Sequence, residues 1–251
     1  MVTEVHNDKH YLVTGVTSGI GKGVAEHLLL SGAFVFGIGR DVNKLKGEKC
    51  FSNNIKFTFC SIDLEITDFL VEHVVDYVSR NEKFSGLVHC AGREETIPIQ
   101  VYSTEEMESL FKINVVSGMT LLRAFSKKKI CKNNSSLVFM SSVMGELGQP
   151  GKIGYCASKA AVLGMVKSAA LEFAKRNIRV NAVSPGVVKT PMTLKLFSSI
   201  SEDNVKNITN MHPLGIGEVE DVVPVILFLL SDEAKWITGQ NLVIDGGYSI
   251  Q

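Results

Sequence analysis

The sequence has no surplus of charge of either sign and no long apolar segment. Its 26 Lys and Arg residues balance 26 Asp and Glu residues, so nothing favours nucleic acid or an anionic membrane as a partner. The longest strongly apolar run covers residues 222–230, whereas a membrane-spanning helix needs about 20 such residues. The N-terminal stretch MVTEVHNDKH lacks the apolar core of a signal peptide. These absences predict a cytoplasmic protein that binds neither nucleic acid nor a membrane.

A cysteine framework is also missing from the chain. The cysteines are odd in number, scattered, and free of the short spacings that metal sites use. Reduced thiols in a cytoplasm are the simplest interpretation, and no metal site is expected. The residues concerned are Cys50, Cys60, Cys90, Cys131 and Cys156.

What the chain does contain is an alternation of short apolar runs with helical segments. At 251 residues it can bury roughly three quarters of its unfolded surface, which is enough for one α/β domain or for two small domains. Near-continuous apolar strands separated by helices predict a parallel sheet covered on both faces. The strands are predicted at 11–14, 32–39, 55–62, 86–89, 137–140, 178–183 and 242–245, and long helices at 20–31, 69–80 and 104–127, the last with Thr104 as its N-cap.

Glycines and polar residues follow these strands where each one ends. Ligands of parallel sheets bind at the carboxyl ends of the strands, so these residues are predicted to share one binding edge. Gly15, Gly19 and Gly21 form a turn between the first strand and the first helix. Such a turn and helix N-terminus can hold a phosphate, and a turn that serves packing alone is the alternative. The other positions at this edge are Arg40, Asp63, Cys90, Ser142 and Pro185.

Ser142, Tyr155 and Lys159 form the strongest chemical pattern in the chain. Tyr155 and Lys159 are four residues apart, so they share one face of a helix. An ammonium about 4–6 Å from the phenol is expected to lower the pKa of Tyr155 by about 1–3 units. The tyrosine can then exchange a proton with a carbonyl or alcohol oxygen that Ser142 holds by a hydrogen bond. A chance YxxxK match is the alternative, so the pattern needs support from other motifs.

Short motifs along nearly the whole chain supply that support. They are TGVTSGIG at 14–21, Asp63-Leu64, CAG at 90–92, Asn114, Ser142, YCASK at 155–159, NAVSPG at 181–186, Thr190-Pro191-Met192 and DGG at 245–247. In this order and spacing the chain resembles the short-chain dehydrogenases/reductases. The resemblance implies an oxidoreductase with one NAD(P)-binding domain over residues 1–251. It also implies a Rossmann-type, doubly wound parallel sheet of seven strands in the order 3-2-1-4-5-6-7, with helices on both faces.

The resemblance also implies the catalytic roles. Tyr155 is the general acid/base, and Ser142 orients the substrate carbonyl. Lys159 holds the nicotinamide ribose and lowers the pKa of the tyrosine. Asn114 supports a water that links Lys159 to solvent, although its apolar neighbours alone would make it a buried core amide.

Cofactor contacts are implied in the same way. The glycine turn lines the pyrophosphate, Asp63 and Leu64 meet the adenine, and Val188 and Thr190 meet the nicotinamide carboxamide. The full set of residues implied to bind the cofactor is Gly15, Thr17, Ser18, Gly19, Ile20, Gly21, Arg40, Asp63, Leu64, Cys90, Ala91, Gly92, Asn114, Tyr155, Lys159, Pro185, Gly186, Val188, Thr190 and Met192.

NADP is the expected cofactor, and NAD is the alternative. NAD-using relatives place a carboxylate at the end of the second strand, where this chain has Gly39 followed by Arg40. The Arg40 guanidinium can bind a 2′-phosphate, or it can stack over the adenine. Asp41 and Ser18 weaken the NADP prediction, the latter because many NADP-using relatives carry Arg or Lys there.

Cys90 replaces the asparagine usual in the family, which puts the local stability of the strand in question.

The substrate and the partners are the least defined features. The pattern is closest to 3-oxoacyl acyl-carrier-protein reductases, and the alternatives are a sugar, polyol or steroid-like substrate, or a non-catalytic NAD(P) sensor.

Residues 189–213 resemble the family's mobile lid, and the helices at 104–127 and 155–176 resemble those that build a homotetramer or dimer. Arg93 and Lys152 either meet an anionic substrate or are solvated surface charges. A basic area for an acidic carrier protein, or a plain solvated charge run, consists of Lys127, Lys128, Lys129, Lys132, Lys175 and Arg176.

Overall fold

A seven-stranded sheet forms the centre of the molecule. The computed structural model describes residues 5–67, 69–198 and 200–250. Within these ranges every strand pair is parallel and the strand order is 3-2-1-4-5-6-7, which confirms the predicted topology. The strands are β1 (His10–Thr14), β2 (Phe34–Gly39), β3 (Phe57–Ser61), β4 (Phe84–His89), β5 (Cys131–Met140), β6 (Arg179–Pro185) and β7 (Asn241–Ile244).

Helices cover both faces of this sheet. Side chains of successive strand residues alternate between the faces, so Leu12 and Val13 of β1 enter different apolar clusters. Phe125 belongs to the first cluster and Leu28 to the second. No helix in the described ranges is long and apolar enough to span a membrane. The α-helices there are α1 (Gly19–Leu30), α2 (Leu70–Arg80), α3 (Thr104–Phe111), α4 (Ser117–Phe125), α5 (Ile153–Phe173), α6 (Pro191–Phe197), α7 (Glu202–Asn210) and α8 (Val219–Leu230).

The prediction of one long helix over 104–127 is wrong. A five-residue π-helix, Lys112–Val116, separates α3 from α4. The N-cap is Ser103 rather than Thr104, because the Ser103 hydroxyl accepts a hydrogen bond from the backbone of Glu106 and the Glu106 carboxylate accepts one from the backbone of Ser103. The helix ends at Phe125, two residues before the predicted end.

Strand β5 is longer than its apolar run predicted. It begins at Cys131 rather than at residue 137, and its pairing with β4 shifts register between Phe84 and Gly86. Residues 132–136 of β5 are polar, so periodicity gave no signal for them. Part of this polar stretch is nevertheless buried: the Ser136 hydroxyl donates to the carbonyl of Leu229 at 2.6 Å.

His89, the last residue of β4, is buried between two neighbouring elements. Its Nδ1 lies 2.9 Å from the Thr14 hydroxyl, and its Nε2 lies 3.1 Å from the Ser117 hydroxyl. The Ser117 hydroxyl donates to the carbonyl of Ile113, so it accepts from Nε2–H and fixes a neutral tautomer of His89. Burial, helped by the nearby Lys159 charge, lowers the pKa of His89 to about 3.

This buried histidine makes stability depend on pH. As the pH falls, His89 takes up a proton near pH 6.5 in the unfolded chain and only near pH 3 in the folded chain. The contribution of His89 to the free energy of unfolding is therefore largest above pH 6.5 and decreases as the pH drops below that value. Urea unfolding between pH 4 and 7 should show that His89→Gln reduces the slope by about 1.4 kcal/mol per pH unit. His73→Gln, on the exposed side of α2, is the matched control. An unchanged slope in His89→Gln would contradict the assignment.

Candidate functional site

A cleft of about 750 Å³ opens at the carboxyl edge of the sheet, the edge predicted from the strand ends. Ser142 and the predicted cofactor residues line it, with two exceptions. Asp63 is exposed beside the cleft, where its carboxylate accepts a hydrogen bond from the backbone of Glu65. Asn114 lies behind the cleft wall.

The glycine turn is built for close backbone contact. Gly15 and Gly19 have φ values of +74° and +54°, which favour glycine. A Cβ at Gly21 would lie 2.5 Å from the carbonyl oxygen of Gly15, so the third glycine lets α1 pack against the turn. Packing and phosphate binding therefore need the same residues, and the two interpretations of this turn do not exclude each other.

The N-terminus of α1 fits a phosphate group. Ser18 is the N-cap, makes no side-chain hydrogen bond to the helix, and leaves the first-turn N–H groups to a ligand. No acidic residue occupies that first turn. A Cβ at Gly19 would lie 3.1 Å from the Thr190 side chain, so any larger residue would crowd the space between the helix N-terminus and Thr190. These features fit the pyrophosphate of a dinucleotide.

Ser142, Tyr155 and Lys159 meet at the floor of the cleft. The Lys159 ammonium donates to the carbonyl of Met140 at 3.0 Å and lies 5.7 Å from the centre of the Tyr155 ring. The Ser142 hydroxyl accepts from the backbone of Met144 at 3.2 Å and also hydrogen-bonds to the Tyr155 side chain. An acid/base, a cation and a hydroxyl therefore surround one space in which an oxygen atom can bind.

The expected direction of the Tyr155 pKa shift is wrong for this structure. Burial raises the pKa of Tyr155 to about 12, and the hydrogen bond with Ser142 offsets only part of this rise. Burial also lowers the pKa of Lys159 to about 8. Desolvation of both side chains outweighs the attraction that the sequence pattern suggested. Tyr155 is thus fully protonated at neutral pH, as a proton donor must be.

Asn114 lies in the π-helix and joins three segments. Its Oδ1 accepts from the backbone N–H of Arg93 at 2.8 Å, and its Nδ2 donates to the carbonyl of Arg93 at 2.9 Å and to the hydroxyl of Ser158 at 3.0 Å. The side chain is therefore a satisfied buried amide, as its neighbours suggested. A role in proton supply stays a prediction. The sequence contained no signal for the π-helix itself.

The segment around Cys90 is held by hydrogen bonds of its neighbours, whose roles the sequence analysis missed. The Thr14 hydroxyl accepts from the backbone of Ala91 at 3.0 Å and also contacts His89 at 2.9 Å, so the loop after β4 is tied to β1. Burial raises the pKa of the Cys90 thiol to about 12, which leaves no reactive thiolate at neutral pH. The cysteine is an uncharged part of the cleft wall.

Lys152 is not a solvated surface charge, whereas Arg93 is partly exposed and held in ion pairs. Lys152 is buried and forms an ion pair with Glu94, while Arg93 bridges Glu65 at 3.1 Å and Glu95 at 3.5 Å. The sequence analysis named neither Glu94 nor Glu95. Two adjacent acidic residues in a loop give no pattern that points to a cleft.

Residues 189–213 include the short helices α6 and α7, which form the outer wall of the cleft. Thr190 caps α6 by accepting from the backbone of Thr193, and the Thr193 hydroxyl donates to the carbonyl of Val188 at 2.6 Å. The inner surface of this segment is mainly apolar, with Met192, Leu196 and Ile208 lining the cleft.

Comparison with known proteins decides the family. The profile of the family described as enoyl-(acyl carrier protein) reductase matches residues 15–249. The 3-oxoacyl acyl-carrier-protein reductase of Thermotoga maritima is 36% identical over 244 residues, which are 95% of this chain and 97% of that one. This chain belongs to the short-chain dehydrogenase/reductase family.

Solved structures agree with this membership. A 4-hydroxyisoleucine dehydrogenase in complex with NADH is 29% identical with a TM-score of 0.88, and the match covers 97% of this chain and 100% of that one. ElxO with bound NADP is 31% identical with a TM-score of 0.85 over the same shares of the two chains. The chain is an NAD(P)H-dependent oxidoreductase acting on a carbonyl or alcohol.

In the described residues, no group of three or more His, Cys, Asp or Glu side chains could hold a metal ion.

Proposed function

We propose that this chain reduces a 3-oxoacyl thioester with NADPH, in a single NAD(P)-binding domain over residues 1–251. The observation that carries the proposal is the arrangement of Ser142, Tyr155 and Lys159 at the floor of a cleft with a mainly apolar outer wall. The similarity to the Thermotoga maritima enzyme supports the substrate class. Residues 189–213 act as a lid over that substrate.

The roles proposed for the side chains follow from their geometry. The nicotinamide cofactor, when bound, supplies the hydride. Ser142 holds the substrate oxygen, and Tyr155 gives it a proton, since a phenol with a pKa of about 12 is protonated at neutral pH. The phenolate that remains is stabilised by the Lys159 ammonium, 5.7 Å from its ring. Asn114 fixes the loop and helix around Lys159 and supports its proton supply.

An acyl carrier protein is the proposed donor of the substrate. Lys127, Lys128 and Lys129 are exposed after α4, but the Arg176 guanidinium is bound to the carbonyls of Phe125 and Ser126. These groups precede the amino end of β5, whereas the cleft lies at its carboxyl end, roughly 30 Å away at about 3.3 Å per residue. A carrier bound at this basic area is therefore separated from the cleft of its own chain by about the length of β5.

A second candidate is the oxidation of a hydroxylated amino acid, a sugar or another polyol. The similar 4-hydroxyisoleucine dehydrogenase supports it, and so do Gln149, Asn204 and Asn207, whose polar side chains line the cleft. Polar lid residues suit hydroxyl groups, whereas Met192 and Leu196 suit an acyl chain.

A substrate panel tests the proposed function. The wild type should oxidise NADPH with 3-oxoacyl thioesters faster than NADP⁺ is reduced with sugars, polyols or hydroxylated amino acids. Tyr155→Phe should lower kcat by at least about 100-fold and leave cofactor binding intact, because only the proton donor is lost. Near-normal turnover by Tyr155→Phe would reject the mechanism, and a preference for polyols would favour the second candidate.

Arg40 tests the choice of cofactor. Arg40 lines the cleft after β2, and a Cβ at Gly39 would lie 2.7 Å from the Thr17 side chain, so a larger residue does not fit there without movement. We expect Arg40→Ala to weaken kcat/KM for NADPH by about 1.5–3 kcal/mol and to leave NADH unchanged. Equal losses with both cofactors, or a wild type that prefers NADH, would contradict the assignment of the 2′-phosphate to Arg40.

The oligomeric state is a further expectation. Val116, Met119 and Leu171 are apolar side chains, 42%, 49% and 80% exposed, at the π-helix, α4 and α5. We propose that they are covered in a homotetramer or dimer, as the helices of the family imply. Light scattering at micromolar concentration should give a multiple of 27.4 kDa, and Leu171→Glu should reduce it. A wild-type monomer would refute this proposal.

A further inference from the structure

Lys152 places a second ammonium beside the catalytic tyrosine. Its Nζ lies 5.9 Å from the centre of the Tyr155 ring, close to the 5.7 Å of Lys159. The Lys152 side chain is 8% exposed and its partner Glu94 is 17% exposed, and both line the cleft. A buried ion pair costs desolvation energy and is weak evidence for stability, so its place in the cleft needs a different explanation.

The pair is held rigidly between two loops. The Lys152 ammonium donates to Glu94 and, at 2.7 Å, to the Thr96 hydroxyl, which itself donates to Glu94 at 3.0 Å. The backbone N–H of Ile97 donates to the carbonyl of Gly151 at 2.7 Å. Gly151 has a φ of +78°, and a Cβ there would lie 2.9 Å from the Thr96 side chain. The loop after β4 is therefore docked on the loop before α5.

This arrangement leaves one hydrogen-bond donor for a ligand. An ammonium has three N–H groups, and among the described residues Lys152 uses two of them, on Glu94 and Thr96. Lys152 lines the same cleft as Ser142 and Tyr155, so its third N–H is available to a ligand bound there. A second oxygen on the substrate, a few bonds from the first, can accept it.

The charge of that second oxygen matters because Glu94 already neutralises Lys152. A neutral carbonyl accepts the hydrogen bond without disturbing the pair. A carboxylate at the same place meets the Glu94 carboxylate at close range, and like charges there repel strongly. Arg93, the neighbouring cation on this wall, is likewise bound by Glu65 and Glu95.

We propose that the Lys152–Glu94 pair is a specificity-determining element that selects substrates with a neutral second carbonyl beside the reacting one and rejects the corresponding carboxylates. This inference rests on the proposed carbonyl reduction. It narrows the substrate class to 1,3-dicarbonyl compounds such as esters, thioesters and amides of 3-oxo acids. Lys152 binds the second oxygen, and Glu94 excludes the charged form.

Three small probes test the two residues separately: methyl acetoacetate, acetoacetate and 2-pentanone. The wild type should prefer the ester to the acid by at least about tenfold in kcat/KM. Glu94→Gln should raise kcat/KM for acetoacetate by at least about tenfold and thereby reduce this preference. Lys152→Met in the Glu94→Gln background should lower kcat/KM for the ester by about 10- to 100-fold and leave 2-pentanone unchanged.

Matched variants separate specificity from folding. Glu108→Gln, which removes an exposed carboxylate from α3, should keep the wild-type preference. The double variant Lys152→Met/Glu94→Gln leaves no buried charge unpaired, and in it the advantage of the ester over 2-pentanone should disappear. Thermal unfolding and the Kd for NADPH confirm that each variant folds.

The outcomes distinguish this inference from the proposed function. The thioester panel decides the proposed function, and these probes decide the specificity. If none of the three probes is reduced, calorimetric binding of the ester and the acid to the protein with oxidised cofactor decides the specificity instead. An unchanged ester-to-acid ratio in Glu94→Gln overturns the inference. Equal losses for the ester and 2-pentanone in the double variant also overturn it, because they show that Lys152 only positions Tyr155.

Discussion

The paired hydrogen bonds between the Asn114 side chain and the backbone of Arg93 hold the site together. One amide satisfies both polar groups of a peptide segment that has just left β4, and its remaining N–H reaches Ser158 on α5. Three elements far apart in sequence are thus fixed within a few ångströms of Lys159. A buried amide with fewer partners would carry a large desolvation cost, so the three segments have one favourable arrangement.

Burial sets the protonation of this site more than pairwise attraction does. Burial raises the pKa of Tyr155 and of Cys90, so both side chains stay protonated at neutral pH. Burial lowers the pKa of Lys159 and of His89, so Lys159 releases its proton more easily and His89 is neutral. A sheet edge enclosed by helices disfavours an isolated charge. Lys152 and Glu94 keep their charges there because each has the opposite charge beside it.

The sequence was informative where its signals are local and repeated. Apolar strands, the glycine turn and the spacing of Tyr155 and Lys159 were sufficient to predict a parallel sheet and the cleft edge, whereas the strand order came from the resemblance to the family. The π-helix was not predictable, because Lys112–Val116 contains no proline or glycine that would mark an interruption of an α-helix. Lys152 and Glu94 were misjudged or missed because an ion pair 58 residues apart in sequence exists only once the two loops are docked. The pKa of Tyr155 is raised rather than lowered because the side chain is buried, and the spacing of Tyr155 and Lys159 in the sequence contains no information about burial.

The π-helix also fixes the angular relation between α3 and α4. Each residue of an α-helix turns the chain by about 100°, and a π-bulge accommodates roughly one residue more than a regular helix of the same length. The apolar face of α4 is therefore rotated relative to that of α3, which lets Asn114 point at the loop after β4 while Leu121 enters the core. Removing one residue from this segment would make the helix more regular in its hydrogen bonding. It would also turn the core face of α4 away from the sheet. The number of residues in the π-helix therefore sets which face of α4 packs against the sheet.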